Sequence, residues 1–217
     1  MPTDFQAELA QQRAEMVELQ LRRRGIHDDC VLHAMEIVPR HEFVPWQLQR
    51  EAYHDTPVPI GEGQTISQPY IVAHMLQALR LSAEDRVLEI GTGTGYEAAV
   101  LSRMVREVYT IERFATLAEA ARKIFDRLGY ENVRVIIGDG SRGYPEAAPY
   151  DAIVVAAAAP RVPEGLMSQL KDGGRMIVPV GSADLQQLTL LRRHDNEVET
   201  TFLDACRFVP LVGEQGY

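Results

Sequence analysis

Three glycines at alternate positions form the part of the sequence best suited to hold a ligand. Gly91, Gly93 and Gly95 follow the apolar run 86–90 and precede a run with helical spacing. Glycines at such a strand-to-helix turn let the backbone approach a ligand closely. The spacing Gly-x-Gly-x-Gly departs from the Gly-x-Gly-x-x-Gly pattern of dinucleotide sites. A glycine-rich turn with no ligand is the alternative interpretation.

Acidic residues end the next two predicted strands. Glu112 comes about twenty residues beyond the loop, where a carboxylate can accept hydrogen bonds from both hydroxyls of a ribose. Asp139 could accept from the exocyclic amine of an adenine, with Gly140 leaving room for the ring. Each acid could instead be a solvated strand end. Together with the glycine loop, the two acids predict a nucleoside site without phosphate ligands.

If the nucleoside is a methyl donor, no catalytic base is needed when the group that accepts the methyl is already an anion. The loop after the fourth predicted strand is 156–160, AAAAP, rather than the Asn/Asp-Pro-Pro-Tyr of many amine methyltransferases. Neither cysteine follows a proline, as the nucleophile of cytosine C5 enzymes does. A carboxylate with a pKa near 4 is ionised at neutral pH and can attack a sulfonium methyl directly. Catalysis would then be mainly alignment and water exclusion, which can supply roughly 7 to 11 kcal/mol.

The elements that must position these residues alternate along the chain. Strands are predicted at 86–90, 107–112, 133–137, 150–156 and 175–180, and helices at 117–128, at 163–170 and after the glycine loop. This alternation predicts an α/β fold, a doubly wound Rossmann-like sheet that binds ligands at the carboxyl ends of its strands. Segments 188–193 and 198–208, around Asp195-Asn196, predict an antiparallel hairpin at the sheet edge.

The region before the sheet is predicted to be helical and then irregular. A helix over 5–24 stops at Gly25, and a second helix, capped by Asp28 or Asp29, runs through Met35. The segment 40–63 is rich in proline and is predicted to be an irregular lid or acceptor-binding region. Ser67 or a neighbour is expected to cap the helix that follows.

The composition excludes several classes of protein. The net charge of -9, from 22 Lys and Arg against 31 Asp and Glu, repels nucleic acid and anionic membranes. The apolar run 152–159 is too short to span a bilayer, and the N-terminus lacks the apolar stretch of a signal peptide. Cys30, Cys206 and the six histidines lack metal-ligand spacing, so no metal is assigned. We expect a cytoplasmic monomer with neither nucleic-acid nor membrane partners.

Three separated motifs resemble the protein-L-isoaspartate O-methyltransferase family. Residues 61–69, GEGQTISQP, are similar to the family's signature before its first sheet strand, residues 38–45, VPRHEFVP, to its N-terminal acceptor segment, and residues 207–211, RFVPL, to its C-terminal motif. The similarity runs from about Met16 to Leu211. It implies a class I S-adenosylmethionine-dependent methyltransferase fold. It also implies transfer of the methyl group to the free alpha-carboxylate of L-isoaspartyl residues in proteins and peptides, with S-adenosylhomocysteine as product.

The resemblance implies roles for individual residues. Ser67 would orient the acceptor carboxylate beside the cofactor, although it could merely cap the following helix. Val44, Thr65 and Val209 would line the acceptor groove, Val209 through backbone hydrogen bonds, with core packing as the alternative for both valines. Glu89 could instead be a buried acid bonded to backbone amides. The implied cofactor contacts are Ile66, Ser67, Glu89, Gly91, Gly93, Gly95, Glu112, Asp139 and Gly140.

The resemblance also sets the domain organisation and the rival functions. We expect one methyltransferase domain over 1–217, in which 1–80 is the N-terminal helical and acceptor-binding segment, 81–182 the cofactor-binding core and 183–217 the C-terminal hairpin and tail. Ala156 and Glu62 depart from residues common in the family, and Glu62 near an anionic acceptor bears on peptide preference. A nicotinamide-dependent oxidoreductase is disfavoured by the glycine spacing. A specialised relative that methylates ordinary aspartyl peptides is the third hypothesis.

Overall fold

Seven strands form one mixed sheet in the computed structural model, which describes residues 2–195 and 197–217. These strands are β3 Arg86–Ile90, β4 Glu107–Glu112, β5 Val133–Ile137, β6 Tyr150–Val155, β7 Leu170–Gly181, β8 Gln186–His194 and β9 Glu197–Cys206. The sheet order is β5-β4-β3-β6-β7-β8-β9; the first five strands are parallel, and β8 and β9 each pair with the preceding strand in antiparallel fashion. The predicted Rossmann-like sheet and the C-terminal hairpin are confirmed. Asn196, one of the two residues predicted at the hairpin turn, lies outside the described residues.

Helices cover both faces of this sheet. They are α1 Pro2–Glu15, α2 Asp29–Ile37, α3 Pro69–Leu79, α4 Tyr96–Ser102, α5 Ala115–Leu128 and α6 Glu164–Ser168. Neighbouring strand residues point to opposite faces, so Val87 joins the larger core with α3, α4 and α5, whereas Leu88 joins the core that contains Leu166 of α6. Among the described residues, none of the helices has the length and apolar character needed to cross a membrane.

The N-terminal helices follow the sequence prediction closely. The first helical run continues from α1 through a π-helical turn at Met16–Leu21 and a 3-10 turn at Arg22–Arg24, and it stops at Gly25, whose φ is 94°. The Asp28 carboxylate caps α2 by accepting from the backbone N–H of Cys30 at 2.9 Å and of Val31 at 3.2 Å. The helix runs two residues past the predicted end at Met35.

The segment 40–63 is more regular than predicted. It contains 3-10 turns at Arg40–Phe43 and Trp46–Glu51 and the strand β1, Val58–Gly61. This strand pairs in antiparallel fashion with β2, Gln64–Ile66, so that a two-stranded hairpin leads into Ser67. The exposed Pro59 is compatible with a strand because this hairpin has free edges.

α3 begins next to Ser67, as predicted, but neither Ser67 nor its neighbour Gln68 makes the expected capping hydrogen bond with its side chain. Gln68 occupies the N-cap position, and its side chain makes no capping hydrogen bond. The cap is supplied from a distance, because Asp55 Oδ1 accepts from the backbone N–H of Tyr70 at 3.1 Å. The side chain of Ser67 is therefore free for another role.

Candidate functional site

A cavity with about 790 Å³ of empty space, part of it open to solvent, lies at the carboxyl ends of the central parallel strands. β3 lies between β4 and β6, so the chain order reverses at this point and leaves a crevice above the strand ends. The predicted site residues that line the cavity are Thr65, Ile66, Ser67, Gly91, Gly93, Glu112, Gly140 and Val209. The structure therefore brings most of the predicted site together. It places Val44, Glu89, Gly95 and Asp139 outside the lining.

Backbone hydrogen bonds hold the glycine loop against the neighbouring strand. The N–H groups of Gly91 and Thr92 both donate to the Ile111 carbonyl, at 2.9 and 3.2 Å. Gly91 has a φ of 99°, a left-handed conformation that favours glycine. A Cβ on this residue would lie 3.6 Å from that of Ala156, so the tips of β3 and β6 also approach closely. The loop is thus fixed from both sides.

Glu112 connects the loop to the end of β4. Its Oε2 accepts from the N–H of Gly93 at 2.9 Å, and its Oε1 accepts from the N–H of Phe114 at 3.0 Å. The residue is only 5% exposed, yet it lines the cavity. Each carboxylate oxygen has a second acceptor position, so Glu112 can hold the loop and still accept from a ligand.

The last two glycines of the predicted site allow close packing. A Cβ on Gly95 would lie 2.4 Å from Phe125 Cζ, so this glycine lets the start of α4 pack against α5. A Cβ on Gly140 would lie 2.6 Å from Ile90 Cγ2, and Gly140 also lines the cavity. The cofactor role of Gly95 remains a prediction, since the structure shows a packing role for it.

Asp139 lies at the edge of the site and already holds three hydrogen bonds. Its Oδ1 accepts from the N–H and the hydroxyl of Ser141, at 2.9 and 2.7 Å, and its Oδ2 accepts from the N–H of Glu214 at 2.9 Å. Partial burial would raise the pKa of this carboxyl, but the hydrogen bonds from Glu214 and Ser141 outweigh it and lower the pKa. Asp139 thus ties the C-terminal tail to the end of β5. Its contact with an adenine stays a prediction.

Glu89 lies fully buried on β3, beneath the loop. Its Oε2 accepts from the Thr110 hydroxyl, which is in turn 2.6 Å from the hydroxyl of Thr92 in the loop. Glu89 is thus a buried acid, as in the alternative interpretation, but its hydrogen bond comes from the Thr110 hydroxyl rather than from the backbone amides that this interpretation named. These contacts do not bring Glu89 to the cavity surface.

The sequence prediction did not include three polar residues that line the cavity. Thr94, Tyr96 and Glu97 follow the first two glycines and lead into α4. Thr94 Oγ1, the Tyr96 hydroxyl and Glu97 Oε1 are buried without a hydrogen-bond partner among the residues that the structure describes, and so is Glu89 Oε1 below them. Buried polar atoms in proteins normally have partners, so this group fits a cavity that receives a polar ligand. Their position at the helix start was the available sequence signal.

A second cavity, with about 1620 Å³ of empty space that is partly open to solvent, adjoins the first. The residues that line both are Thr65, Ser67, Ala156, Val209 and Pro210. The Ser67 hydroxyl forms no hydrogen bond with another described residue, whereas its carbonyl accepts from Arg40 Nη2 at 2.8 Å. The Val209 carbonyl accepts from the Ala158 N–H at 2.8 Å. Val44 is buried in the core away from both cavities, in agreement with its packing alternative, and its substrate role stays a prediction.

Asp55 organises the outer wall of the second cavity. The Arg24 guanidinium pairs with Asp55 and lies 3.7 Å above the centre of the Tyr70 ring. Asp55 also accepts from Gln68 Nε2 at 2.7 Å, in addition to capping α3. One carboxylate therefore fixes three of the groups that line this cavity.

Comparisons with known proteins identify the family to which this arrangement is similar. No group of three or more potential metal ligands occurs within the described part of the chain. Residues 11–216 match the family described as protein-L-isoaspartate(D-aspartate) O-methyltransferase. The protein-L-isoaspartate O-methyltransferase of Koribacter versatilis is 54% identical over 205 residues, which are 94% of this chain and 92% of that protein.

Two solved structures have the same fold. A structure described as a protein-L-isoaspartate O-methyltransferase has a TM-score of 0.84 and 34% identity, covering 94% of this chain and 67% of the other. One from Plasmodium falciparum, described as a protein of the same kind in complex with S-adenosyl-L-homocysteine, has a TM-score of 0.78 and 27% identity, covering 92% of this chain and 98% of the other.

Proposed function

The chain belongs to the protein-L-isoaspartate(D-aspartate) O-methyltransferase family, and we propose that it transfers the methyl group of S-adenosylmethionine to the free alpha-carboxylate of L-isoaspartyl residues in proteins and peptides. The resulting ester collapses to a succinimide, whose hydrolysis returns part of the damaged residue to L-aspartyl. One observation carries this proposal: the cavity at the strand ends meets a second cavity at Ser67 and Thr65, which line both. Donor and acceptor can meet only where these two cavities join.

The residues of the first cavity fit the methyl donor. Glu112 accepts from the ribose hydroxyls while it holds Gly93, and Gly140 leaves room for the adenine ring. Asp139 has one acceptor position left beside its three hydrogen bonds, and this position is proposed for the adenine amine. S-adenosylmethionine, when bound, supplies an electrophilic methyl group on a sulfonium. The acidic lining suits this cationic ligand better than it suits a dinucleotide, whose phosphates are negatively charged.

The residues at the junction act on the acceptor by orientation. An isoaspartyl carboxylate is ionised at neutral pH, so it needs no base in order to attack. The Ser67 hydroxyl is the group proposed to orient it, because this hydroxyl is uncommitted and lies on both cavities. Arg40 fixes the Ser67 backbone from behind. Thr65 and Val209 line the same junction and are proposed to guide the peptide.

The wider setting of the activity follows from the charge of the chain. A net charge of -9 disfavours nucleic acid and anionic membranes as partners, which supports a cytoplasmic protein whose partners are isoaspartyl proteins and peptides. We propose that the protein acts as a monomer. We keep 1–80, 81–182 and 183–217 as acceptor-binding segment, cofactor-binding core and C-terminal hairpin with tail of one domain.

The function is tested with labelled methyl donor and two matched peptides. The peptides have the same sequence and differ only in an isoaspartyl or an ordinary aspartyl residue. We expect base-labile methyl ester on the isoaspartyl peptide alone. Equal labelling of the aspartyl peptide would support the specialised relative instead, and labelling of neither peptide would contradict the proposal.

A further inference from the structure

The second cavity is lined by charged residues that the proposed function does not use. Arg24, Asp204 and Arg207 line this cavity, and none of the three lines the first cavity. These charges therefore lie beside the place where donor and acceptor meet rather than at it. A peptide that reaches Ser67 through the second cavity places the residues on either side of its isoaspartyl residue near them.

Two of the three charges have a neighbour of opposite or complementary chemistry inside the protein. The Arg24 guanidinium pairs with Asp55. Asp204 Oδ2 lies 3.5 Å from His74 Nε2, and 71% of the Asp204 side chain is exposed. Arg207 forms no ion pair with any residue that the structure describes. Its guanidinium is therefore the cationic group of this lining that is left for a ligand.

The segment that carries Arg207 is open to a chain in the cavity. Seven consecutive residues, 204–210, line the cavity, whereas a strand that turned only one face towards it would contribute alternate residues. Arg207 directly follows β9, the last strand in the sheet order, and its side chain is exposed. Asp204 precedes it by three residues, about 10 Å in an extended chain, so salt largely screens the two charges from each other.

The distance along the chain determines which residue of the acceptor Arg207 can contact. Val209 lines the junction of the two cavities, and Arg207 precedes it by two residues, about 7 Å in an extended chain. An extended acceptor peptide covers the same distance with two of its own residues. With the isoaspartyl residue at Ser67, the side chain nearest to Arg207 therefore belongs to a residue about two positions away.

We propose that Arg207 binds an acidic side chain about two residues from the isoaspartyl residue and so favours acceptors that carry an acidic group there. The inference rests on the proposed function and adds a feature of the acceptor to it. A guanidinium donates several N–H groups to a carboxylate, and this pairing is stronger than a contact with a neutral side chain. The net charge of -9 repels acidic peptides at long range, so the local contact is measured as a difference from a variant in which Arg207 alone is changed.

Steady-state methylation of matched isoaspartyl peptides measures this preference. The peptides carry glutamate, glutamine or lysine at one position, either two residues before or two residues after the isoaspartyl residue. At one of these two positions, Arg207→Gln should lower kcat/KM for the glutamate peptide about two- to fivefold, as expected for a partly exposed ion pair. The kcat/KM for the glutamine peptide should stay close to wild type. Added salt should reduce the difference between wild type and variant on the glutamate peptide.

Two more variants show whether the preference depends on the charge at this position. Arg207→Glu reverses the charge, so it should lower kcat/KM for the glutamate peptide further and raise it for the lysine peptide. Arg134→Gln removes an exposed arginine from β5, at the opposite edge of the sheet, and should behave like wild type on all three peptides. Each result is a ratio between peptides measured on one protein preparation, so a loss of folded variant cancels.

The possible results have distinct meanings. An equal loss on all three peptides would show that Arg207 acts on the isoaspartyl carboxylate itself or stabilises the fold, and it would overturn the inference. Ratios between peptides that are the same in wild type and in both Arg207 variants, at both peptide positions, would also overturn it and leave the proposed function intact. Failure of the wild-type protein to methylate any isoaspartyl peptide would refute the proposed function itself.

Discussion

Replacing Glu112 by glutamine separates the two tasks of this residue. The carboxylate accepts from the N–H of Gly93 at 2.9 Å with one oxygen and from the N–H of Phe114 at 3.0 Å with the other. Glutamine has the same length but only one accepting oxygen. One of the two buried N–H groups would therefore face an amide NH₂, and a ribose hydroxyl would lose a charged acceptor.

The size of the effect follows from these contacts. A hydrogen bond to a charged group contributes about 1.5 to 3 kcal/mol, so losing one ribose contact should weaken S-adenosylhomocysteine binding on the order of 10- to 150-fold. The orphaned N–H should lower the free energy of unfolding by about 1 to 3 kcal/mol. Both effects are large enough to measure separately.

The assay combines calorimetric titration of S-adenosylhomocysteine with denaturant unfolding. Glu107→Gln is the matched control, because Glu107 begins the same strand and pairs with Arg86 at 2.6 Å, far from the cavity lining. The control should keep the wild-type dissociation constant. A folded Glu112→Gln protein with that same constant would refute the assignment of Glu112 to the ribose.

Three further changes test the acceptor side and the packing around the loop. Ser67→Ala should lower kcat about 10- to 100-fold, the loss of one orienting hydrogen bond, with little change in S-adenosylhomocysteine affinity; a wild-type kcat on isoaspartyl peptide would show that the hydroxyl has no role. Gly95→Ala places a Cβ 2.4 Å from Phe125 Cζ and should lower the free energy of unfolding by about 1 to 3 kcal/mol, seen as a lower Tm; an unchanged Tm would contradict the close packing. Arg40→Lys keeps the buried charge, but a lysine cannot donate to the carbonyls of Ala52 and Ser67 in the same way. The KM for the peptide should therefore rise more than the Kd for S-adenosylhomocysteine. Equal changes in both would show general destabilisation.

The central strands could be predicted closely from the sequence. β3, β4 and β5 have the bounds predicted from the sequence, because the residues that flank each strand are charged residues, glycine or asparagine. β3 and β4 are also largely buried, as strands in the middle of a parallel sheet are. The position of the ligand cavity followed from the same alternation. Local pattern determined these features, so sequence reasoning was sufficient for them.

The features that sequence reasoning did not find depend on contacts between distant segments. The cap of α3 comes from Asp55, fifteen residues before Tyr70, so a local capping rule selected Ser67 instead. The β1–β2 hairpin was not predicted because Pro59 in β1 argues against a strand. Its pairing depends on the turn around Glu62, whose φ is 51°.

The polar lining of the cavity was also beyond local pattern. Helical periodicity predicts that Tyr96 and Glu97 can be buried, but it does not tell a core position from a cavity wall. Asp139 shows the reverse case, because its strand-end position suggested a ligand contact whereas the C-terminal tail supplies one of its partners. Which buried polar atoms lack protein partners becomes known only when all segments are in place.

The central claim is that the ends of the strands form a site for an adenosyl group and have no groups that bind phosphate. It is tested most directly by titrating the purified protein with S-adenosylhomocysteine and, separately, with NAD. We predict saturable binding of one S-adenosylhomocysteine per chain and no detectable binding of NAD. Binding of NAD without binding of S-adenosylhomocysteine would contradict the claim.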